Sequence, residues 1–223
     1  MGSYGQYCPI SRAADVLGDR WTIHIVRDLL TGTTRFNELI RGNPGLSRAL
    51  LSRRFDQLVR AGIVQHGEDG TYTLTKAGQD LRPVVFGLAE WGAAWAFGDP
   101  EPDELDPDLL VWWLHQRLDP GEEPRRRFTI HVQFRDHQRQ YWIVLENDAS
   151  VCLSDPGFAV DVTIRATLAA LYRVYVGRTT MRAARRDGEV ELVGSTAAVR
   201  RFGQVFRPSP VAEIVAAATS TQH

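Results

Sequence analysis

The chain has 223 residues, 43% hydrophobic and 24% charged, with a net charge of −1. That balance suits one large or two small globular domains and excludes a collagen-like, wholly disordered or disulfide-stapled chain. No apolar run reaches the roughly 20 residues of a membrane helix, the first residues lack the pattern of a signal peptide, and the two distant cysteines, Cys8 and Cys152, fit a reducing cytoplasm. Charge is uneven along the chain. Residues 1–98 carry 11 basic and 9 acidic groups, residues 99–123 only Arg117 against nine acids, and residues 124–223 fourteen basic against nine acidic.

The first segment reads as helices followed by one hairpin. Residues 11–17 form a short helix ended by Gly18. Trp21, Ile25, Val26 and Leu29 share a helical face, closed by Gly32. Residues 36–40 form another short helix, closed by Gly42. Ser47 is the N-cap of a longer helix, Gly62 its C-terminal stop, and Leu51, Phe55 and Leu58 its buried face. Residues 63–65 and 72–74 are strands joined by Glu68-Asp69-Gly70. A last helix spans about 76–97 with the stripe Ala77, Leu81, Val84, Leu88, Trp91 and Trp95, and Pro83 kinks it or marks its true start.

Helix, short helix, tight turn, longer helix and hairpin is the order of a winged helix-turn-helix. Residues 35–60 hold six arginines against Glu38 and Asp56. Side chains near the start of such a second helix reach base edges in the major groove. Arg48, Ser52 and Arg53 are therefore the base-reading candidates, since arginine pairs bidentately with guanine. Arg35 and Ser47 are better placed for phosphate. The acids Glu68 and Asp69 sit unfavourably at the wing tip.

The motifs Tyr7-Cys8-Pro9-Ile10, Asp15-Val16-Leu17-Gly18-Asp19-Arg20-Trp21-Thr22, Arg35-Phe36-Asn37-Glu38-Leu39, Leu50-Leu51-Ser52-Arg53-Arg54-Phe55 and Leu58-Val59-Arg60-Ala61-Gly62-Ile63 resemble the HxlR family of winged-helix transcriptional regulators over about residues 6–97. The resemblance implies a double-stranded DNA operator as partner. It also implies a homodimer built on the first helix and the last stripe, with Leu88, Trp91 and Trp95 in the interface. The wing, reduced to residues 65–71, departs from the family's longer one. Cys8 stands where some members carry a redox-sensing thiol. No neighbour but Arg12 would lower its pKa, so a packing role at the dimer interface competes with a thiol switch.

Residues 98–107, with three prolines and five acids, mark the boundary, and a second break follows at 119–124. The reading is an N-terminal domain at 6–98, an acidic proline-rich linker at 99–107 and a C-terminal domain at 108–215. In the latter, Phe128, Ile130, Val132 and Phe134 alternate with polar residues, residues 141–145 are apolar on both faces, and residues 151–153 and 158–164 add strands. Leu168, Leu171, Tyr172, Tyr175 and Val176 return to helical spacing. A strand at 190–193 precedes a closing helix, capped by Ser195, with Val199, Phe202 and Phe206 inward. This is an α+β domain with helices over one face of a sheet.

The run Asp161-Val162-Thr163-Ile164, then 167–172, Gly177, 181–183 and 188–194 is similar to the sterol-carrier-protein-type fold, which implies a sheet covered by helices that enclose an apolar tunnel. Trp142, Val144, Leu171, Tyr175 and Phe202 are the pocket candidates, around an expected apolar cavity of about 300–1,000 Å³ holding a small hydrophobic ligand. A closed core competes with it. No hydrolase, zincin, redox or dinucleotide motif occurs, and the histidines are not at ligand spacings, so no catalytic residue, cofactor or metal is expected. The leading reading is a dimeric, cytoplasmic DNA-binding regulator with a ligand-sensing C-terminal domain. Its rivals are a hydrophobic-ligand carrier with a dimerisation domain, and a thiol-switch regulator acting through Cys8.

Overall fold

In the computed structural model, which describes residues 4–119 and 127–221, the first helix starts where its sequence allows. Pro9 occupies the first helical position, where its missing N–H costs nothing, and α1 runs Pro9–Leu17. Next come α2 (Thr22–Leu30), α3 (Phe36–Gly42) and α4 (Arg48–Arg60). The Ser47 hydroxyl accepts the Leu50 N–H at 3.2 Å and caps α4. At its other end Gly62 takes φ +69°. The N–H groups of Gly62 and Ile63 then reach back to the carbonyls of Val59 (3.0 Å) and Leu58 (2.9 Å). These are the paired bonds of a Schellman stop, which needs a left-handed residue at that point.

The chain leaves this stop directly into β1 (Val64–His66), antiparallel to β2 (Tyr72–Leu74). Residues just before α3 extend the hairpin: the Tyr72 N–H bonds the Thr34 carbonyl at 2.8 Å and Arg35 bridges Thr71. Ile25, Val26, Leu39, Leu51, Phe55 and Leu58 form the core of this unit and are at most 1% exposed. Burying each stabilises the fold by about 1.5–3 kcal/mol. The single helix expected over 76–97 is two, α5 (Lys76–Gln79) and α6 (Arg82–Trp95). Pro83 is the cause. Its ring would collide with the carbonyl of Gln79, four residues back, and it has no N–H to bond it.

The described chain divides into two compact units, Met1–Ala89 and Glu90–His223. Beyond the end of α6, the second unit continues with a 3-10 turn at Pro102–Glu104 and α7 (Pro107–Gln116). Asp106 caps α7 by accepting the N–H groups of Asp108 (2.8 Å) and Leu109 (3.2 Å). The second expected break lies outside the described residues from 120 onward. Five strands follow, β3 (Phe128–Phe134), β4 (Gln140–Leu145), β5 (Ala149–Cys152), β6 (Val162–Ala166) and β7 (Val190–Gly194). They form one sheet in the order β5-β4-β3-β6-β7, in which only the β3–β6 pair is parallel.

The helices of this unit are α8 (Leu168–Val176), α9 (Met181–Arg186), α10 (Thr196–Val205) and α11 (Ala212–Thr221). The sequence anticipated α8 and α10; α9 and α11 were not read. The strand expected at 158–164 is shifted to Val162–Ala166, because its polar members Thr163 and Arg165 continue the pairing with β3 and β7. Gly177 ends α8 at φ +90°, and a Cβ there would strike the backbone of Ala212 in α11. Both units fit the α+β reading, the first as a winged helix-turn-helix, the second as a sheet with helices.

Candidate nucleic-acid interface

The turn between α3 and α4 is pinned from below. The Asn43 side chain is 3% exposed and donates to Asp28 Oδ2 (2.6 Å) and to the Leu39 carbonyl (2.8 Å). Beyond it, α4 turns Leu51, Phe55 and Leu58 inward and leaves Ser47, Arg48, Ala49, Ser52, Arg53, Asp56 and Arg60 exposed. The base-reading candidates Arg48, Ser52 and Arg53 thus share the solvent face of one helix. Arg48 is partly held: one N–H donates to Asn37 Oδ1 at 2.9 Å and its guanidinium lies 5.1 Å from the Phe36 ring centre. Arg35 is exposed at the start of α3, where that helix meets the hairpin.

Arg54, one of the six arginines counted between residues 35 and 60, does not add to the exposed positive face. Arg54 is 8% exposed. Its guanidinium donates to Asp19 Oδ2 at 2.6 Å, to Gln57 Oε1 at 2.7 Å and, through Nε, to the Arg20 carbonyl at 3.1 Å. It clamps the turn between α1 and α2, where Trp21 holds a left-handed backbone at φ +77°, a conformation costly for a bulky residue and kept only where surroundings enforce it. The wing tip keeps the negative charge that its sequence suggests. The Thr71 hydroxyl (2.7 Å) and N–H (3.1 Å) both donate to Asp69 Oδ1. These bonds hold the Asp69 carboxyl below its usual pKa, with the Arg35 charge assisting.

The expected ligand pocket must be redrawn. Alternation along β4 sends Tyr141, Ile143 and Leu145 into the helix-covered core and Trp142 and Val144 to the opposite face. There Trp142 stacks on His131 at 4.6 Å. Leu171, Tyr175 and Phe202 remain on the covered side, 0%, 6% and 1% exposed. The space between them and Ile143 is a void of only about 10 Å³, because the inward Phe206, together with Leu118 and Met181, which were not assigned to that layer, helps to close it. In the expected place there is a packed core. A separate open cleft of about 810 Å³ lies between β7, α9 and α10.

Leu88, Trp91 and Trp95 on α6 are 47%, 62% and 79% exposed, so the stripe is left largely open among the described residues. Cys8 precedes α1, and the backbone N–H groups of Ser11 and Ile10 lower its thiol below the ordinary value. This corrects the expectation that only Arg12 could act there: a helix start stabilises thiolate. Cys152 lies in β5, paired with Trp142.

A helix-turn-helix with a hairpin wing and an arginine-bearing second helix defines a winged-helix DNA-binding regulator. Known proteins agree with that class. A model of the HxlR-like helix-turn-helix family matches residues 16–99 and one of the alkyl sulfatase C-terminal family matches residues 102–215. The chain belongs to the HxlR-like helix-turn-helix regulators, with a domain of the alkyl sulfatase C-terminal family behind that module.

Three uncharacterized HTH-type transcriptional regulators illustrate the relation. The YvaP protein of Bacillus subtilis is 33% identical over 112 residues, 47% of this chain and 95% of its own. One from Synechocystis is 31% identical over 97 residues, 41% of this chain and 72% of its own. One from Mycobacterium bovis is 38% identical over 89 residues, 37% of this chain; the chain spans 56% of that relative's length. No helix among the described residues is long and apolar enough to cross a membrane.

Proposed function

We propose that the protein is a homodimeric, cytoplasmic transcriptional regulator in which α4 reads an operator through the major groove and the C-terminal unit responds to a small hydrophobic ligand. The observation that carries the DNA half is the division of α4 into a fully buried apolar face and an exposed face bearing Arg48, Ser52 and Arg53. Arg53 and Ser52 read bases, Arg48 reads beside them from its perch on Phe36, and Arg35 and Ser47 hold phosphates. The dimer joins two such modules through Leu88, Trp91 and Trp95, setting half-sites about 34–36 Å apart. The ligand half treats the C-terminal unit as a sterol-carrier-type sheet with helices on one face. Ligand binding shifts operator affinity only if one dimer geometry binds ligand better than the other. The reading assigns no catalytic step, cofactor or metal to the chain.

The test is operator binding by variants. Arg53→Ala should weaken a selected operator by about 1–3 kcal/mol and relax its sequence preference. Arg35→Ala should weaken all sequences alike and flatten the salt dependence by about one phosphate contact. Unchanged binding in both would overturn the assignment of α4. A second reading, a thiol switch, is favoured by the lowered pKa of Cys8 at the start of α1. Loss of operator binding on mild oxidation, cancelled in Cys8→Ser, would support it.

A further inference from the structure

The two candidate guanine readers on α4 stand in different settings. Arg53 is exposed, and its guanidinium has no hydrogen bond, ion pair or ring contact among the described residues. Arg48 is exposed as well, but its guanidinium is held twice: Nη1 donates to Asn37 Oδ1 at 2.9 Å, and Cζ lies 5.1 Å from the centre of the Phe36 ring. Phe36 is itself anchored. Its ring lies 6.3 Å from that of Phe55 on α4 and 6.5 Å from that of Tyr72 on β2, and those two rings stack at 3.6 Å. The support under Arg48 therefore joins α3, α4 and the hairpin. Arg48 is also the first residue of α4, an end at which the helix dipole disfavours a cation, so the helix itself gains nothing from arginine there. Asn37 is exposed, and among the described residues its side chain bonds Arg48 alone.

An arginine fork carries five N–H donors. The bond to Asn37 occupies one, so a neighbouring pair of N–H groups remains free to meet guanine O6 and N7. We propose that Asn37 is a specificity-determining positioning residue: its Oδ1 and the Phe36 ring hold the Arg48 guanidinium in the plane in which it reads a guanine, and the bond persists on DNA. This rests on the reading of α4 given above. A side chain ordered before the encounter loses less rotamer freedom on binding. A fork fixed in one plane also rejects a base whose acceptors lie elsewhere, whereas a free fork can swing to a phosphate, which carries no sequence information. The amide suits the task. Its oxygen accepts from Arg48, and it brings no negative charge toward the phosphates, as an aspartate would.

The test is base preference at every position of the operator, measured with the full chain and a randomised duplex library at fixed salt. Arg48→Ala should reduce the preference for guanine at one base pair of each half-site by about 5- to 150-fold, the range of one bidentate pair. Asn37→Ala should reduce the preference at that same base pair by about threefold or more and leave the other positions within about twofold. Its thermal melting should be unchanged, because the side chain is exposed. In an Arg48→Ala background it should have no further effect. Asn37→Asp keeps the acceptor oxygen, so it should keep the preference while weakening all sequences alike. An Asn37→Ala profile that is unchanged, sharpened or altered at a different base pair would overturn the proposal. Sharpening would mean that the bond parks Arg48 away from DNA, and a different base pair would mean that Asn37 reads a base itself. A flat Arg48→Ala profile beside a changed Arg53→Ala profile would also overturn it and leave α4 as the reading helix. Flat profiles for both arginines would overturn that reading, and this proposal with it.

Discussion

Two helices carry apolar stripes of the same spacing and meet opposite fates. On α8, Leu171 and Tyr175 lie four residues apart and are 0% and 6% exposed; on α6, Trp91 and Trp95 lie four residues apart and are 62% and 79% exposed. Spacing defines a face, not what covers it. The α8 face is covered within its own unit: Trp113 of α7 stacks on Tyr175 with ring centres 5.8 Å apart, and Leu171 joins Phe202 and Ile143 around the closed core. The α6 face finds nothing comparable among the described residues. Isolated apolar side chains on a surface need no explanation, but two tryptophans in line with Val84 and Leu88, themselves 48% and 47% exposed, form a stripe of the kind that marks an association surface.

Three variants sharpen that contrast. The largest effect is expected for Leu171→Ala, which removes a wholly buried side chain from a core with little room to relax and should destabilise the C-terminal unit by about 2–5 kcal/mol in urea denaturation. A cost below 1 kcal/mol would mean that the α8 face is not packed as described. Next comes Tyr172→Phe. The Tyr172 hydroxyl donates to the Asp106 carbonyl at 2.9 Å, and losing that bond should cost about 1 kcal/mol at neutral pH.

The same tyrosine makes a prediction about pH. Burial pushes its hydroxyl up to about 12, whereas in the unfolded chain it ionises near 10. The folded state therefore disfavours the phenolate. The stability this contributes is present below pH 10 and is lost as pH rises from 10 through 12. Wild-type stability should fall more steeply over that window than that of Tyr172→Phe; parallel curves would refute the burial of this hydroxyl. The smallest effect on folding is expected for Trp95→Asp, within about 0.5 kcal/mol because the side chain is exposed. Its effect on assembly should be complete: light scattering should give a dimer for the wild type at micromolar concentration and a monomer for the variant, with poor operator binding. A monomeric wild type would remove the interface from the reading.

The N-terminal unit was largely legible because its signals are local. Ser47 and Gly62 delimit α4 as cap and stop, and the face of Leu51, Phe55 and Leu58 needs only helical periodicity. The clamp role of Arg54 was not legible because its partners, Asp19 and the Arg20 carbonyl, lie more than thirty residues upstream, and a charge count has no means of showing such a pair. In the C-terminal unit, β3 and β4 were visible from alternation, yet both pocket residues on β4, Trp142 and Val144, come from the face away from the helices: the apolar run 141–145 hid which face the helices cover. The cleft was missed because α9, Met-Arg-Ala-Ala-Arg-Arg, has too few apolar residues to announce a helix. Its place is set by the Thr180 cap, whose hydroxyl accepts the Ala183 N–H at 3.0 Å, and by burial of Ala184.

Arg53 and Arg54 are adjacent in sequence, and the clamp of Arg54 on the α1–α2 turn makes them unequal under mutation. Lysine keeps a positive charge but offers a point donor on a flexible stem in place of a planar fork. At position 53 a lysine retains attraction to phosphate, so it should preserve general DNA affinity and lose discrimination between bases. At position 54 it has no geometry with which to serve Asp19, Gln57 and the Arg20 carbonyl together, so its cost should appear in the amount of soluble protein before any DNA is added. In a selection that scores growth alone, both positions would demand arginine and look alike. Scored separately for abundance and for operator choice, neighbouring codons would divide, one recording the fold and the other recording the message.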